Sequence, residues 1–490
     1  QNTVLGESAL DASVSGGSNV AIGYEALTTN TSGAFNISVG AFALDANTTG
    51  AGNVGIGHNS LGANTTANHN SAFGHQSLVL NTTGTSNTAV GAYSLDANTQ
   101  GNYNSALGFG SLGANTTGNN NTACGYASLF NNTTGANNTA VGLNALLVNT
   151  TATGGVAVGY RALDSNTTGS YNVAVGQDAL AGNSTGTQNM GIGVNAGMTI
   201  TTGNYNTAIG PNSLRGTEVT GSHNIALGLQ ALNVNTSGSE NVSIGNYSLH
   251  KATTASNNTA VGYAALNDTT TGSNNTAVGR DALLENTTAA NNTAVGNSAL
   301  GLNTTGTQNT ALGSNALDAA TTANYNTALG AFAATDTTGN NNTAVGRIAL
   351  YVNTSGSGNT AIGTETLRNN TTASDNTGVG YAALSQNTTG TLNTAVGKGA
   401  GQLLTTGNDN TFVGDRAGNM VTTNGQNTFI GGRAGSQVTG QQNTALGFFA
   451  NYGASVGNYN TSAGYFALKT AFLVHPSKFP KLFYYLPQPR

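Results

Sequence analysis

The chain has 490 residues, 70 of them Gly and none Trp, with 6% charged residues and a net charge of −5. So little charge excludes ordinary intrinsic disorder, and 13 Lys plus Arg without a basic patch exclude a nucleic-acid partner. No apolar run approaches the roughly 20 residues of a membrane-spanning helix, and the single cysteine, Cys124, rules out an intramolecular disulfide framework.

From its first residues the chain repeats. Gln1 is neither an initiator Met nor part of a secretory signal, which reads as a processed or partial product. Asn2 already stands in the register of a pentapeptide, Asn-Thr-Ala-Val-Gly and its variants. It recurs at Asn19, Asn36, Asn53 and onward in steps of 17. Gly155 replaces one Asn, a step of 18 separates Asn206 from Asn224, and steps of 16 lead to Asn342 and Asn443. The last copy starts at Asn460, which makes 28. A unit this short and regular predicts an all-β fold, a parallel β-solenoid (β-roll) of about 28 coils. At about 4.8 Å per coil it would be a rod roughly 130 Å long. Residues 1–468 form this domain and residues 469–490 a separate tail.

By column the unit reads N-T-A-V-G-x-x-A-L-x-x-N-T-T-G-x-x. Column 4 is apolar (Leu5, Ile22, Val39, Ile56, Phe73, Val90, Leu107, Cys124) and column 9 is Leu (Leu10, Leu27, Leu44, Leu61). These two columns are expected to form the core ladders, with Cys124 standing in for a Val. Ala or Ser in columns 3 and 8 permits close backbone approach, and Gly in column 5 suits positive φ or tight packing. Columns 1–4 are expected to form one strand and columns 6–9 a second, with columns 10–15 as the outer turn.

The exceptions are informative. Where column 9 becomes Gly197, Gly401, Gly418 or Gly435, column 12 becomes Ile200, Leu404, Val421 or Val438. Lost volume is refilled from the same coil, as a packed interior requires, so column 12 lies near the core there. With about two large apolar side chains per coil the core is thin, which favours lateral association, most simply a trimer.

The repeats Asn-Val-Ala-Ile-Gly-Tyr-Glu-Ala-Leu from Asn19 and Asn-Thr-Ala-Val-Gly-Tyr-Ala-Ala-Leu from Asn258 resemble the head repeats of trimeric autotransporter adhesins. They are also similar to repeats of phage tail-fibre-like proteins. The adhesin resemblance implies trimers of left-handed β-rolls that bind extracellular matrix or other cells. This chain departs from that pattern in its longer Asn-Thr-Thr-Gly turn, and it shows no heptad stalk or membrane-anchor barrel.

Asn-x-Ser/Thr sequons are dense in the turn column: Asn30, Asn47, Asn64, Asn81, Asn115, Asn132, Asn149, Asn166, Asn183, Asn235, Asn286, Asn303, Asn353, Asn370 and Asn387. A second series comprises Asn120, Asn137, Asn257, Asn274, Asn291 and Asn341. They are candidate glycosylation sites of a glycan-coated rod, although Asn and Thr are also good turn and ladder residues. Thr in column 2 (Thr3, Thr88, Thr122, Thr139, Thr207) makes an ice-binding face conceivable. Val20, Ile37, Val54 and Ile225 interrupt it, on a strand whose face the sequence does not fix. The histidines His58, His69, His75, His223, His250 and His475 lack ligand spacing. Acidic residues such as Glu25, Asp45, Asp96 and Asp178 stand singly. No catalytic constellation, cofactor or metal site is expected.

The tail holds Pro476, Pro480, Pro487 and Pro489 with an aromatic cluster, Phe479, Phe483, Tyr484 and Tyr485. It reads as a cap on the open end of the solenoid, or as an inter-subunit docking tail with those aromatics as anchors. With no cap at the other end, head-to-tail assembly into a filament becomes an alternative. The expectation is a non-catalytic, fibre-forming and adhesive protein, extracellular or on a cell or virion surface. Its partners would be copies of itself and a cell-surface or matrix receptor.

Overall fold

A computed structural model of the chain describes residues 1–453, 457–468 and 482–483. It is a parallel β-solenoid with a 17-residue coil, in two compact units, Gln1–Asn246 and Tyr247–Arg490. The first unit carries fifteen three-residue strands, from β1 (Thr3–Leu5) to β15 (Val242–Ile244). The second carries thirteen, from β16 (Thr259–Val261) to β28 (Thr461–Ala463), and a two-residue strand, β29 (Leu482–Phe483). Within each unit successive strands pair in parallel and in register, Thr122 with Thr139, Ala123 with Ala140, Cys124 with Val141. At about 4.8 Å per strand the ladders run for roughly 65 Å and roughly 60 Å.

One coil explains the rest. In Asn121–Asn137 the buried residues are Asn121, Ala123, Ser128, Leu129, Asn132 and Gly135. Strand side chains alternate between faces, so Ala123 points inward and Thr122 and Cys124 outward. The expectation that column 4 forms a core ladder is therefore corrected. Both Ala and Val are apolar, but the interior opposite the strand is already filled by the Leu of column 9. Only a small residue fits there. Leu27, Leu44, Leu61 and the column-9 Leu residues that follow in unit 1 are buried to within 1%, while Leu107 in column 4 is 52% exposed. Cys124, taken for a core residue, is only partly buried and lies on the outer face.

The second strand expected over columns 6–9 is a turn. Residues in columns 7 and 9 take the left-handed conformation, as Ala127 (φ 49°) and Leu129 (φ 54°) do, and no strand can hold such an alternation. The turn still stacks on its neighbours. Leu129 N–H donates to Ala145 C=O of the next coil at 2.9 Å, and Leu112 N–H to Ser128 C=O at 3.0 Å. Column 5 must be Gly for two reasons at once. Gly125 has φ 144°, and a Cβ there would lie 2.4 Å from the Gly142 carbonyl oxygen.

Columns 10–15 are not simply an outer turn, because columns 12 and 15 are buried. The exchange of Leu for Gly in column 9 is borne out: Ile200, Leu404 and Val421 are fully buried and Val438 nearly so. In two of those coils Phe412 and Phe429 take the place of the column-3 Ala, stacked at 5.5 Å, and a Cβ on Gly418 would lie 2.6 Å from the Phe412 ring.

Candidate functional site

Polar ladders fix the interior. In column 12 of unit 1, ten Asn side chains from Asn30 to Asn183 form a chain in which each Nδ2–H donates to the preceding Oδ1 at 2.8–3.0 Å. The same amide also reaches a carbonyl in its own turn, Asn47 to Gly50 at 3.1 Å. In column 1 the Asn36 Oδ1 accepts the Asn53 backbone N–H at 2.9 Å, and Asn36 Nδ2 donates to Gly50 C=O at 2.9 Å. Thr hydroxyls of column 13 donate to the next coil, Thr99 to Thr116 C=O at 3.1 Å. Buried amides are tolerated because they are paired.

These ladders overturn the glycan-coated rod at the turn column. Asn30, Asn47, Asn64, Asn81, Asn115, Asn132, Asn149, Asn166, Asn183, Asn235, Asn286, Asn303, Asn353, Asn370 and Asn387 are all buried. A sugar on their Nδ2 has no room and would break the amide chain. The six sequon residues Asn120, Asn137, Asn257, Asn274, Asn291 and Asn341 are exposed instead.

What remains for function is the outer face of the strands, columns 2 and 4, with columns 6 and 17 flanking it. In unit 1 many coils place aliphatic side chains in both strand columns: Val20 with Ile22, Ile37 with Val39, Val54 with Ile56, Val156 with Val158, Ile225 with Leu227. Flanking them are exposed aromatics such as Phe35 (69% exposed), Tyr103 and Tyr171. Seven rings meet in sequence along one edge, Tyr24, Phe42, His58, His75, Tyr93, Phe109 and Tyr126, with centroids 5.3–5.8 Å apart, four of the six pairs edge-to-face and two stacked. Two of the histidines thus belong to an aromatic column, which sequence reasoning missed. The signal was the 17-residue step from His58 to His75, between Phe42 and Tyr93. His223 stacks on Tyr205 at 4.9 Å, and His475 lies outside the described residues.

Unit 2 treats the same columns differently. Its thirteen three-residue strands, β16 to β28, all begin with Thr, and column 4 is Val, Leu, Ile or, once, Ala. Column 3 is buried and the Thr residues lie outward, half-buried or exposed. A hydroxyl buried without a partner costs about 1–3 kcal/mol, so a row of them suits a wet contact better than a dry one.

Among the described residues no group of three or more His, Cys, Asp or Glu is placed to hold a metal ion, and no helix is long and apolar enough to cross a membrane. Burial pushes the carboxyls of Asp45 and Asp96 above the usual range, but they stand in separate coils. In the tail, Phe479, Tyr484 and Tyr485 lie outside the described residues. Phe483 falls in β29, whose backbone pairs with β28 (Leu482 with Thr461, Phe483 with Ser462). Fold and surface define a β-solenoid repeat protein whose usable surface is a periodic strand face. The chain matches no protein-family model and no curated protein.

Proposed function

We propose that this chain is a non-catalytic structural protein of a cell or virion surface, whose copies associate side by side into fibres that serve adhesion. The observation that carries the reading is the outer face of unit 1, apolar throughout column 4 and apolar in column 2 as well in eight of its fifteen strands. Soluble single chains rarely leave contiguous apolar surface of more than a few hundred Å² open. The strand face measures roughly 65 Å by 10 Å; its column 4 is apolar throughout, and the apolar column-2 residues and flanking aromatics widen that strip toward the ~800 Å² per partner of a standard stable interface. A thin core gains from such burial. A face repeated coil after coil also offers a receptor many equivalent contacts, which raises avidity without any single strong site. The likeness of the repeats to adhesin heads and tail fibres points the same way.

The test is sedimentation velocity with electron microscopy of the full chain beside the double variant Ile37→Lys, Val158→Lys. Both side chains point outward and are more than a third exposed, so the coil survives, as circular dichroism will confirm. The expected outcome is fibres thicker than one solenoid for the unaltered chain and single chains for the variant. An unaltered chain that stays single at every soluble concentration removes the proposal.

A further inference from the structure

The outer face of unit 2 has a composition that unit 1 lacks. Thr occupies column 2 without exception from Thr259 to Thr461, thirteen strands in succession, and columns 2 and 4 carry no charged residue. At the sequence level two objections stood against a Thr array: interruptions, and a strand face that might be buried. Both fall for this unit. The interrupting residues Val20, Ile37, Val54 and Ile225 all belong to unit 1, and the column-2 side chains of unit 2 lie outward.

A second observation separates these Thr residues from the others in the chain. Turn threonines spend their hydroxyls inside the protein, Thr287 on Thr304 C=O at 3.1 Å, Thr304 on Thr321 C=O at 3.0 Å, Thr371 on Thr388 C=O at 2.9 Å. The strand threonines have their backbone N–H groups engaged, as Thr276 has with Asn292 C=O at 2.8 Å. Their hydroxyls make no hydrogen bond to protein. The unit therefore presents a neutral row of unpaired hydroxyls beside a row of methyl-bearing aliphatics. The two rows are about 6.6 Å apart across the strand, and each repeats at about 4.8 Å along the axis. Sealing that row against a dry surface would strand the hydroxyls, whereas ordered water satisfies each of them at small cost.

We infer that the outer face of unit 2, a Thr row in column 2 beside an apolar row in column 4, binds ice. The occupant is a water lattice, whose prism face repeats in two directions at lengths close to those of the Thr and aliphatic rows. A rigid array pre-orders water in that pattern, and methyl groups between the hydroxyls keep competing water orientations out. This goes beyond the fibre proposal, which rests on unit 1.

The test measures thermal hysteresis and ice-recrystallisation inhibition with the full chain. Thr360→Lys with Thr377→Lys, in β22 (Thr360–Ile362) and β23 (Thr377–Val379), places two charges in the middle of the face. Thr372→Lys, on an exposed turn position, is the control, and the Ile37→Lys, Val158→Lys variant separates this face from that of unit 1. The inference expects both activities in the unaltered chain, in the turn control and in the unit 1 variant, with both abolished by the paired face substitution while circular dichroism is unchanged. Absence of both activities in the unaltered chain overturns it, as does equal loss in the turn control. If the unaltered chain is inactive toward ice and the face substitution dissociates an oligomer, a second copy is the occupant and the inference is wrong.

Discussion

Asn303 shows what one side chain is worth in a ladder. Its Oδ1 is buried without a donor because the next coil has Ala320 where other coils have Asn, and the Thr337 hydroxyl beyond it is also buried and unpaired. The surroundings of Ala320, with Ala311, Ala316 and Leu317 buried, match those of coils that hold Asn. Ala320→Asn therefore fits, donates to Asn303 and accepts from Thr337. It is expected to stabilise unit 2 by about 1–3 kcal/mol, the cost of an orphaned group, read as a higher urea midpoint. Asp45 illustrates the opposite case. Burial, with Glu25 nearby, raises its carboxyl pKa despite backbone hydrogen bonds that lower it, and its Oδ1 has no partner. A raised carboxyl binds its proton more tightly in the folded chain, so ionised Asp45 weakens the fold at neutral pH. This deficit is expected to shrink as pH falls from the raised value toward the ordinary carboxylate range. Asp45→Asn should raise the midpoint near pH 7 and lose that advantage in acid; an advantage that persists in acid would contradict the burial account.

The coil is the element that folds, and its two apolar columns differ in energetic role. Leu129 is fully buried among neighbouring Leu residues, whereas Val141 is 37% exposed on the outer face. Leu129→Ala is expected to cost about 2–5 kcal/mol and Val141→Ala well under that, measured by urea unfolding of the full chain. Equal costs would mean that column 4 is core after all. Gly in column 5 and the compensated exchange at Gly197 with Ile200 were legible in the sequence, because each is a steric demand met within one coil. The facing of column 4 was not. Parity places columns 2 and 4 together against column 3, but hydrophobicity does not choose between Ala and Val. The volume taken by the column-9 Leu makes that choice.

For the whole molecule, the period of 17, the parallel solenoid and the inward Leu column follow from the sequence alone, because a step kept through 28 copies leaves only self-stacking as a solution. The sequence also showed that Asn and Thr are confined to fixed columns. Only the tertiary structure decided which amides are interior. Asn132 and Asn137 are both sequon residues, yet one is a buried rung and the other an exposed flank. It likewise decided that columns 2 and 4 point outward in both units, which exposes a mixed apolar and hydroxyl column 2 in unit 1 and an unbroken Thr column in unit 2. The reason is physical: sequence periodicity fixes which residues stack, while the direction of a side chain depends on local φ, and its partners on the coil above and below.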